Sequence, residues 1–261
     1  MMPEERRYKI ISLLYDERSA TVVDLCQQLN ASEATVRRDL SLLEEEGKLE
    51  RVHGGAIMKS NMPLDTEESF GEKEWSNQSE KRLIAEKAFT HLRDYESIFL
   101  DGGTTTLELA KLIGRSHIKL NVFTNAPTIS AHIAKNEFVD LFLVGGKVRN
   151  NTLAIVGQMA IDTIRLFRLD KVFIGVNGIS LDYGLTTQNF EEAQMKKAVL
   201  ERGRERIILA DATKFDKVAL CQILPIAGID EIITSALEDE EMKEALKQKG
   251  IRLTETEENV R

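Results

Sequence analysis

The run ASEATVRRDLSLLEEEGKLERVHGGA, Ala31 to Ala56, admits few folds. Val36, Leu40 and Leu43 recur at spacings of four and three, so a helix here carries one buried stripe. Ser32 stands where a side-chain oxygen accepts a first-turn N–H and caps the helix, and Gly47 ends it. At 100° per residue Ala34, Arg37, Arg38 and Ser41 point away from the stripe. Small residues beside two guanidinium groups suit a major groove, where arginine binds guanine bidentately or clamps phosphate oxygens. An ordinary solvated helix face carrying two arginines looks the same in isolation. The flanking segments separate the two readings.

Upstream, Val22 to Leu29 (VVDLCQQL) is a short helix with apolar Val22, Leu25, Cys26 and Leu29, and Asn30-Ala31 turns into Ser32. This is helix–turn–helix spacing, in which the first helix braces the second. Glu4 to Tyr15 supplies a third helix with Ile10, Ile11 and Leu14 toward the core. Leu49 to Ala56 forms a hairpin turning at Gly54-Gly55.

Three helices and a wing make a small DNA-binding head. Residues 1–57 resemble the winged helix–turn–helix of the DeoR family of transcriptional regulators through TVRRDL, Thr35 to Leu40, and RVHGGA, Arg51 to Ala56. The family pattern usually has isoleucine where Val36 stands. The resemblance and the outward face together nominate Ser32, Ala34, Thr35, Arg37, Arg38, Ser41, Arg51, His53 and Gly54 for operator DNA.

Charge does not announce this. The chain of 261 residues has net charge −8, and residues 1–60 hold nine Lys and Arg against eleven Asp and Glu, a net of −2. Glu44, Glu45 and Glu46 gather at the far end of the recognition helix. Arg6, Arg7, Arg37, Arg38, Arg51 and Lys59 then define a local positive face. Binding through phosphates weakens steeply with salt.

An apolar content of 42% with 30% charged residues fits a soluble globular protein, and 261 residues allow two domains or one large one. No stretch approaches the roughly 18 apolar residues of a membrane span, and the polar N-terminus does not read as a secretory signal. Cys26 and Cys221 sit among apolar neighbours and read as buried small hydrophobes, consistent with a cytoplasmic location. His53, His91, His117 and His132 are scattered, and none stands at ligand spacing with a cysteine. Neither a metal nor a cofactor is expected.

Apolar periodicity fades between Met58 and Ser79, which reads as a linker over 58–78 with a short helix near Trp75. From 79 to 261 strands alternate with helices. The strand runs are Ser97–Leu100, Val122–Thr124, Leu141–Val144, Val172–Gly175, Ile207–Ala210 and Ile232–Ser235. The helical patterns are Glu80–Leu92, Thr105–Ile113, Pro127–Lys135, Met159–Phe167, Glu191–Arg202 and Glu238–Lys249. Near-continuous apolar strands separated by helices imply a doubly wound, largely parallel α/β sheet covered on both faces.

Ligands bind such sheets at the carboxyl ends of strands. Those ends here read DGGTTT (Asp101–Thr106), TNAP (Thr124–Pro127), VGGK (Val144–Lys147), GVNG (Gly175–Gly178) and ADATKF (Ala210–Phe215). DGGTTT follows a strand and opens a helix, so the N–H groups of Gly103 to Thr106 are orphan donors that favour a phosphate. Asp101 suits a sugar hydroxyl. A glycine turn with threonine caps explains the same letters without a ligand. Neither GxxxxGK[ST] nor GxGxxG is present. Lys81 either closes over an anion or lies on a solvated face. Lys196 follows Glu192 at the favoured helical ion-pair spacing. Lys214 reaches the crevice from its loop, and Asp211 caps a turn or holds a ligand hydroxyl.

From about residue 76 the chain is similar to the DeoR-type sensor domain, itself related in fold to ribose-5-phosphate isomerase. The resemblance implies that a phosphorylated sugar or related metabolite is surrounded by Asp101, Gly102, Gly103, Thr104, Thr105, Thr124, Asn125, Gly146, Asn177, Gly178, Glu192, Lys196, Asp211 and Lys214. It also implies a repressor of sugar metabolism acting as a homodimer or homotetramer. Retained isomerase-like catalysis is the alternative, but it needs a positioned base, and Gly175 to Ile179 carries no acidic residue.

Overall fold

The computed structural model describes residues 3–17, 19–45, 49–58 and 69–256. Gly47, Glu46, Lys59 and residues 59–68 of the expected linker lie outside the described residues. Contacts divide the chain into two compact units, 1–66 with 71–76 and 67–70 with 77–261.

The first unit runs α1 (Pro3–Glu17), β1 (Ser19–Thr21), α2 (Val22–Leu29), α3 (Glu33–Glu45), β2 (Leu49–Val52) and β3 (Gly55–Met58). Its core is the stripe read from the sequence: Ile10, Leu14, Val22, Leu25, Leu29, Val36, Leu40 and Leu43 are buried, joined by Leu49 and Ala56. Each such side chain contributes about 1.5–3 kcal/mol on leaving water. Thr21 caps α2 by accepting from Asp24 N–H at 3.1 Å, and Asn30 ends it in the left-handed region at φ 47°. Thr35 N–H donates to Ser32 Oγ at 3.3 Å, the cap expected of α3.

Two details of the head differ from expectation. The hairpin pairs Val52 with Gly55, so its turn is His53-Gly54, with Gly54 at φ +85°. Gly55 is already strand. A third strand, β1, pairs antiparallel with β3, and a Cβ on Gly55 would lie 2.2 Å from Ala20 O. Three residues with one apolar member show no strand periodicity, which is why β1 escaped the sequence.

Helix α4 (Phe70–Trp75) is divided, with Phe70 in the second unit and the rest in the first; the second unit continues with α5 (Gln78–Phe89), β4 (Glu96–Leu100), α6 (Thr104–Ile113), β5 (Leu120–Thr124), α7 (Pro127–Ile133) and β6 (Val139–Leu143). A small hairpin follows, β7 (Lys147–Val148) and β8 (Ile155–Val156), then α8 (Gln158–Arg165), β9 (Leu169–Ile174), β10 (Gly178–Ser180), β11 (Gly184–Thr187), α9 (Phe190–Leu200) and β12 (Gly203–Leu209). The chain continues as β13 (Cys221–Leu224), β14 (Glu231–Thr234), α10 (Glu240–Gln248) and β15 (Arg252–Glu255).

Seven strands form one parallel sheet in the order β15-β14-β12-β9-β4-β5-β6. Alternation along each strand feeds two cores. Ile98, Leu100, Phe173, Ile207 and Leu209 pack with α5, α6 and α7. Phe99, Val172, Ile174 and Ile208 pack with α8, α9, α10 and the antiparallel trio β10-β11-β13. The sheet is therefore doubly wound. The strand order reverses between β4 and β9, which opens a crevice at their carboxyl ends.

The short antiparallel pieces and the edge strand β15 were not anticipated. Arg252–Glu255 (RLTE) has a single apolar residue, and only its pairing with β14 makes it a strand. Cys26 and Cys221 are half-buried rather than buried. Among the described residues no helix is long and apolar enough to cross a membrane.

Candidate functional site

On the head, Ser32, Ala34, Arg37 and Arg38 are exposed along α3, with Thr35 and Ser41 half-buried. Not all of the cationic groups share one condition. Arg6 donates to the buried Asp39 at 2.6 Å and is itself only 13% exposed, so it fastens α1 to α3 and leaves the expected positive face. Asp39 looks like a surface residue in the sequence, yet it falls one position from the apolar stripe. Arg37 pairs with Glu33 at 2.7 Å. Arg51 donates to Ser41 Oγ at 2.8 Å, and its N–H donates to Glu44 at 3.1 Å. These bonds tie the wing's first strand to the recognition helix. His53 and Gly54 are exposed at the wing tip.

In the second unit the topological switch gathers charge. Asp101 follows β4 and Gly175 follows β9. Asp101 forms an ion pair with Lys196, and their side chains are 4% and 9% exposed. Asp101 Oδ2 also accepts from Gly175 N–H at 3.2 Å, and Lys196 donates to Gly175 O at 2.9 Å. One turn earlier on α9, Glu192 accepts from Arg149 at 2.6 Å and from Thr152 Oγ at 2.5 Å. Asn189 starts this helix by accepting from the N–H groups of Glu191 and Glu192. That cap sets the phase which turns both Glu192 and Lys196 into the protein.

The expected Glu192–Lys196 pair is thus replaced by two pairs, each to a distant segment. Burial explains the exchange, because an exposed i,i+4 pair contributes only tenths of a kcal/mol, whereas a buried charge needs a dedicated partner. Lys81 is 4% exposed, so the solvated-face alternative is also corrected. Asn177 Oδ1 accepts from Thr187 Oγ at 2.8 Å, and Thr187 lies 3.5 Å from Glu192.

Around α6 the amides are only partly orphaned. Gly103 N–H already donates to Asp101 O at 2.8 Å and to Thr106 Oγ at 3.1 Å, which removes it from the expected donor set. Thr104 and Thr105 N–H lie in the first turn, with no intrahelical carbonyl four residues back. Gly103 and Gly175 face each other beside Asp101, where a Cβ on either would come within 3.8 Å of the other's Cα.

The remaining nominated residues serve the framework. Thr124 donates to Leu100 O at 2.7 Å and accepts from Ala126 N–H at 3.1 Å. Asn125 donates to Ile155 O at 2.9 Å, while its buried Oδ1 has no partner among the described residues. Cβ atoms on Gly102 or Gly146 would press within 2.9 Å of Ala154 and Ile155, and one on Gly178 would strike Lys217 O at 2.3 Å. Asp211 caps its own turn through Thr213 N–H at 3.0 Å and the Thr213 hydroxyl. Lys214 is half-buried on that turn. No bond joins Asp211 or Lys214 to the Asp101 or Glu192 clusters among the described residues.

Arg149, Thr152, Thr187 and Gly175 were missed. Arg149 and Thr152 lie in RNNT, a polar turn without any motif, and only the β7–β8 hairpin brings them to α9. Asp101, Glu192, Lys196 and Arg149 together carry no net charge.

A winged helix–turn–helix unit and, in the same chain, an α/β unit with buried ion pairs at its switch point define a DNA-binding regulator with a sensor. The DeoR-like helix-turn-helix domain matches residues 6–62, and the DeoR C terminal sensor domain matches residues 76–236. HTH-type transcriptional regulator GlpR of Haloferax volcanii is 33% identical over 98% of this chain and 98% of its own. The lactose phosphotransferase system repressor of Lactococcus lactis is 34% identical over 90% of this chain and 91% of its own. Ribose 5-phosphate isomerase A of Methanocaldococcus jannaschii overlays with TM-score 0.40 and 17% identity, over 54% of this chain and 55% of that one. The chain belongs to the DeoR family and is a DNA-binding transcriptional regulator.

Proposed function

We propose that the protein is a cytoplasmic repressor of a sugar-metabolism operon, released from its operator by a phosphorylated sugar. The head, 1–57, reads operator half-sites through the exposed face of α3 and the wing, and 58–78 links it to the sensor, 79–261. The observation that carries the effector half is the pair of buried ion pairs at the switch point, beside the first-turn amides of Thr104 and Thr105. Buried charges cost stability unless each is partnered, and these stand at the carboxyl ends of the strands, where sheets of this kind take their ligands. Phosphate meets the α6 amides, and Asp101 or Glu192 accepts from sugar hydroxyls. The name of one relative, the lactose phosphotransferase system repressor, supports a role in sugar metabolism.

A homodimer or homotetramer supplies the DNA contact area that one head lacks. Differential affinity of the ligand for two arrangements of the assembly then shifts operator occupancy. Catalysis is not part of this reading, because Asp101 and Glu192 are both committed to ion pairs and Asp211 to a cap. A thermal-shift screen of pentose, hexose and hexosamine phosphates, followed by operator release with the best hit, tests it. Failure of every phosphate to stabilise the protein, or substantial turnover of one of them, overturns it.

A further inference from the structure

We propose that Glu33 determines sequence specificity by accepting a hydrogen bond from the N4 amino group of a cytosine in the major groove, with Arg37 neutralising its charge there. The inference rests on the reading above, in which α3 is the element that meets the operator. Glu33 is the first residue of α3, and the N-terminal residues of a recognition helix are those that reach base edges. Glu33 and Arg37 stand one turn apart, about 40° from each other around the axis and about 6 Å along it, so Glu33 borders the outward face. Its side chain is 64% exposed and that of Arg37 48%. Glu44, farther along the same side of the helix, accepts instead from Arg51 N–H of the wing at 3.1 Å, a bond that fastens β2 to α3.

A carboxylate carried into a field of phosphates lowers affinity for every sequence unless a cation answers its charge. Arg37 does so through Nε at 2.8 Å and Nη2 at 2.7 Å. Both bonds fall on Oε1, and Oε2 has lone pairs for a base donor. An exposed pair at this spacing adds little to the helix itself, so stability does not require it. Among the four bases one suits a carboxylate. Guanine turns acceptors N7 and O6 to the groove, and thymine turns O4 beside a methyl group. Adenine sets its N7 acceptor next to the N6 donor, which repels the second carboxylate oxygen. Cytosine presents N4–H with no acceptor of its own in the groove. A glutamate at this position therefore penalises three bases as well as rewarding the fourth.

Selection of bound duplexes from a randomised pool by the full-length protein, read by sequencing, tests this. The unmodified protein should prefer cytosine at one position of each half-site by about fivefold or more. Glu33→Gln should move that preference to adenine, whose N6 and N7 a glutamine meets with acceptor and donor together. Glu33→Ala should erase the preference and tighten binding to unrelated duplex. If Glu33→Ala lowers the melting temperature, Glu33→Gln, which keeps the shape of the side chain, decides. Identical preferences at every position in the three proteins, with affinity changed uniformly, overturn the proposal and leave the pair a surface contact. A position that follows Glu33 but prefers another base overturns the cytosine assignment. Arg38→Ala separates this failure from that of the operator reading. If it changes a preference while the Glu33 variants change none, the operator reading stands and the Glu33 proposal falls. If it too changes none, α3 is not the reader and both fall.

Discussion

Breaking the Asp101–Lys196 pair one side at a time measures how far the crevice is a dry, charged interior. Lys196→Met leaves Asp101 buried, with Gly175 N–H at 3.2 Å as a remaining donor. Asp101→Asn leaves Lys196 with Gly175 O at 2.9 Å. Stranding one charge of a buried pair costs about 3–5 kcal/mol, and the surviving Gly175 bond puts each single variant near the lower end. Asp101→Asn with Lys196→Met removes both charges while keeping an amide oxygen for Gly175 N–H, so the double variant should cost only about 1 kcal/mol. The two singles must then be strongly non-additive. Urea unfolding followed by circular dichroism reads this in the larger transition, because the body holds most of the helix and sheet. At about 2 kcal/mol per molar urea, each single variant moves that midpoint by about 1.5 M, and the double recovers most of it. Singles that each cost under about 1 kcal/mol and simply add would refute the reasoning, since the pair would then be solvated.

Arg38→Ala should weaken operator binding by about 1–3 kcal/mol, with Arg37→Ala weaker in effect because Glu33 already holds that guanidinium; fluorescence anisotropy at fixed salt checks both, and equal loss on random DNA would make Arg38 a phosphate contact instead. Gly55→Ala should destabilise the head by about 2 kcal/mol or more, because the new methyl meets Ala20 O at 2.2 Å. Gly54→Ala, with open space but φ +85°, should cost nearer 1 kcal/mol, and calorimetry of the head transition ranks the two. His91 and Glu231 give a pH test. The Glu231 hydrogen bond raises the His91 pKa against an opposing burial effect. Burial pushes the Glu231 carboxyl up, but bonds from His91 and Thr254 and the Arg252 charge outweigh it and hold it below its ordinary value. The His91 contribution is full below 6.5 and fades as pH rises through its raised pKa, and that of Glu231 is full above 4.5 and fades as pH falls through its lowered one. His91→Gln should therefore destabilise most between pH 4.5 and 6.5 and progressively less in alkali, as thermal melts across pH would show.

The head was legible because its core is local. Val36, Leu40 and Leu43 lie within eight residues, and the helical period alone puts them on one stripe. Ser32 likewise accepts from the Thr35 amide three residues on, and Asn30 N–H donates to the Cys26 and Gln27 carbonyls four and three residues back. The six strands read from apolar runs were legible for a related reason: in a parallel sheet both faces are buried, so the run itself is the signal. What failed were elements whose burial comes from elsewhere, such as β1, which is strand only because β3 lies beside it. Arg6 was read as part of the positive face because nothing near it in the chain reveals Asp39, thirty-three positions away.

The opening helix was thus determined by the sequence alone, down to the cap and the outward arginines, whereas the wing's turn and its third strand were set by pairing. The strand ends that carry glycine, threonine and lysine were determined too, since each motif is a short turn with its own backbone demands. Which charges meet at those ends was decided only in three dimensions. Glu192 and Lys196 stand four apart and would pair on an isolated helix. Packing α9 against the sheet takes both out of water, and a buried charge pairs with whatever the fold places opposite, here Arg149 and Asp101. Periodicity reports which face is buried. It carries no information about what waits on the other side.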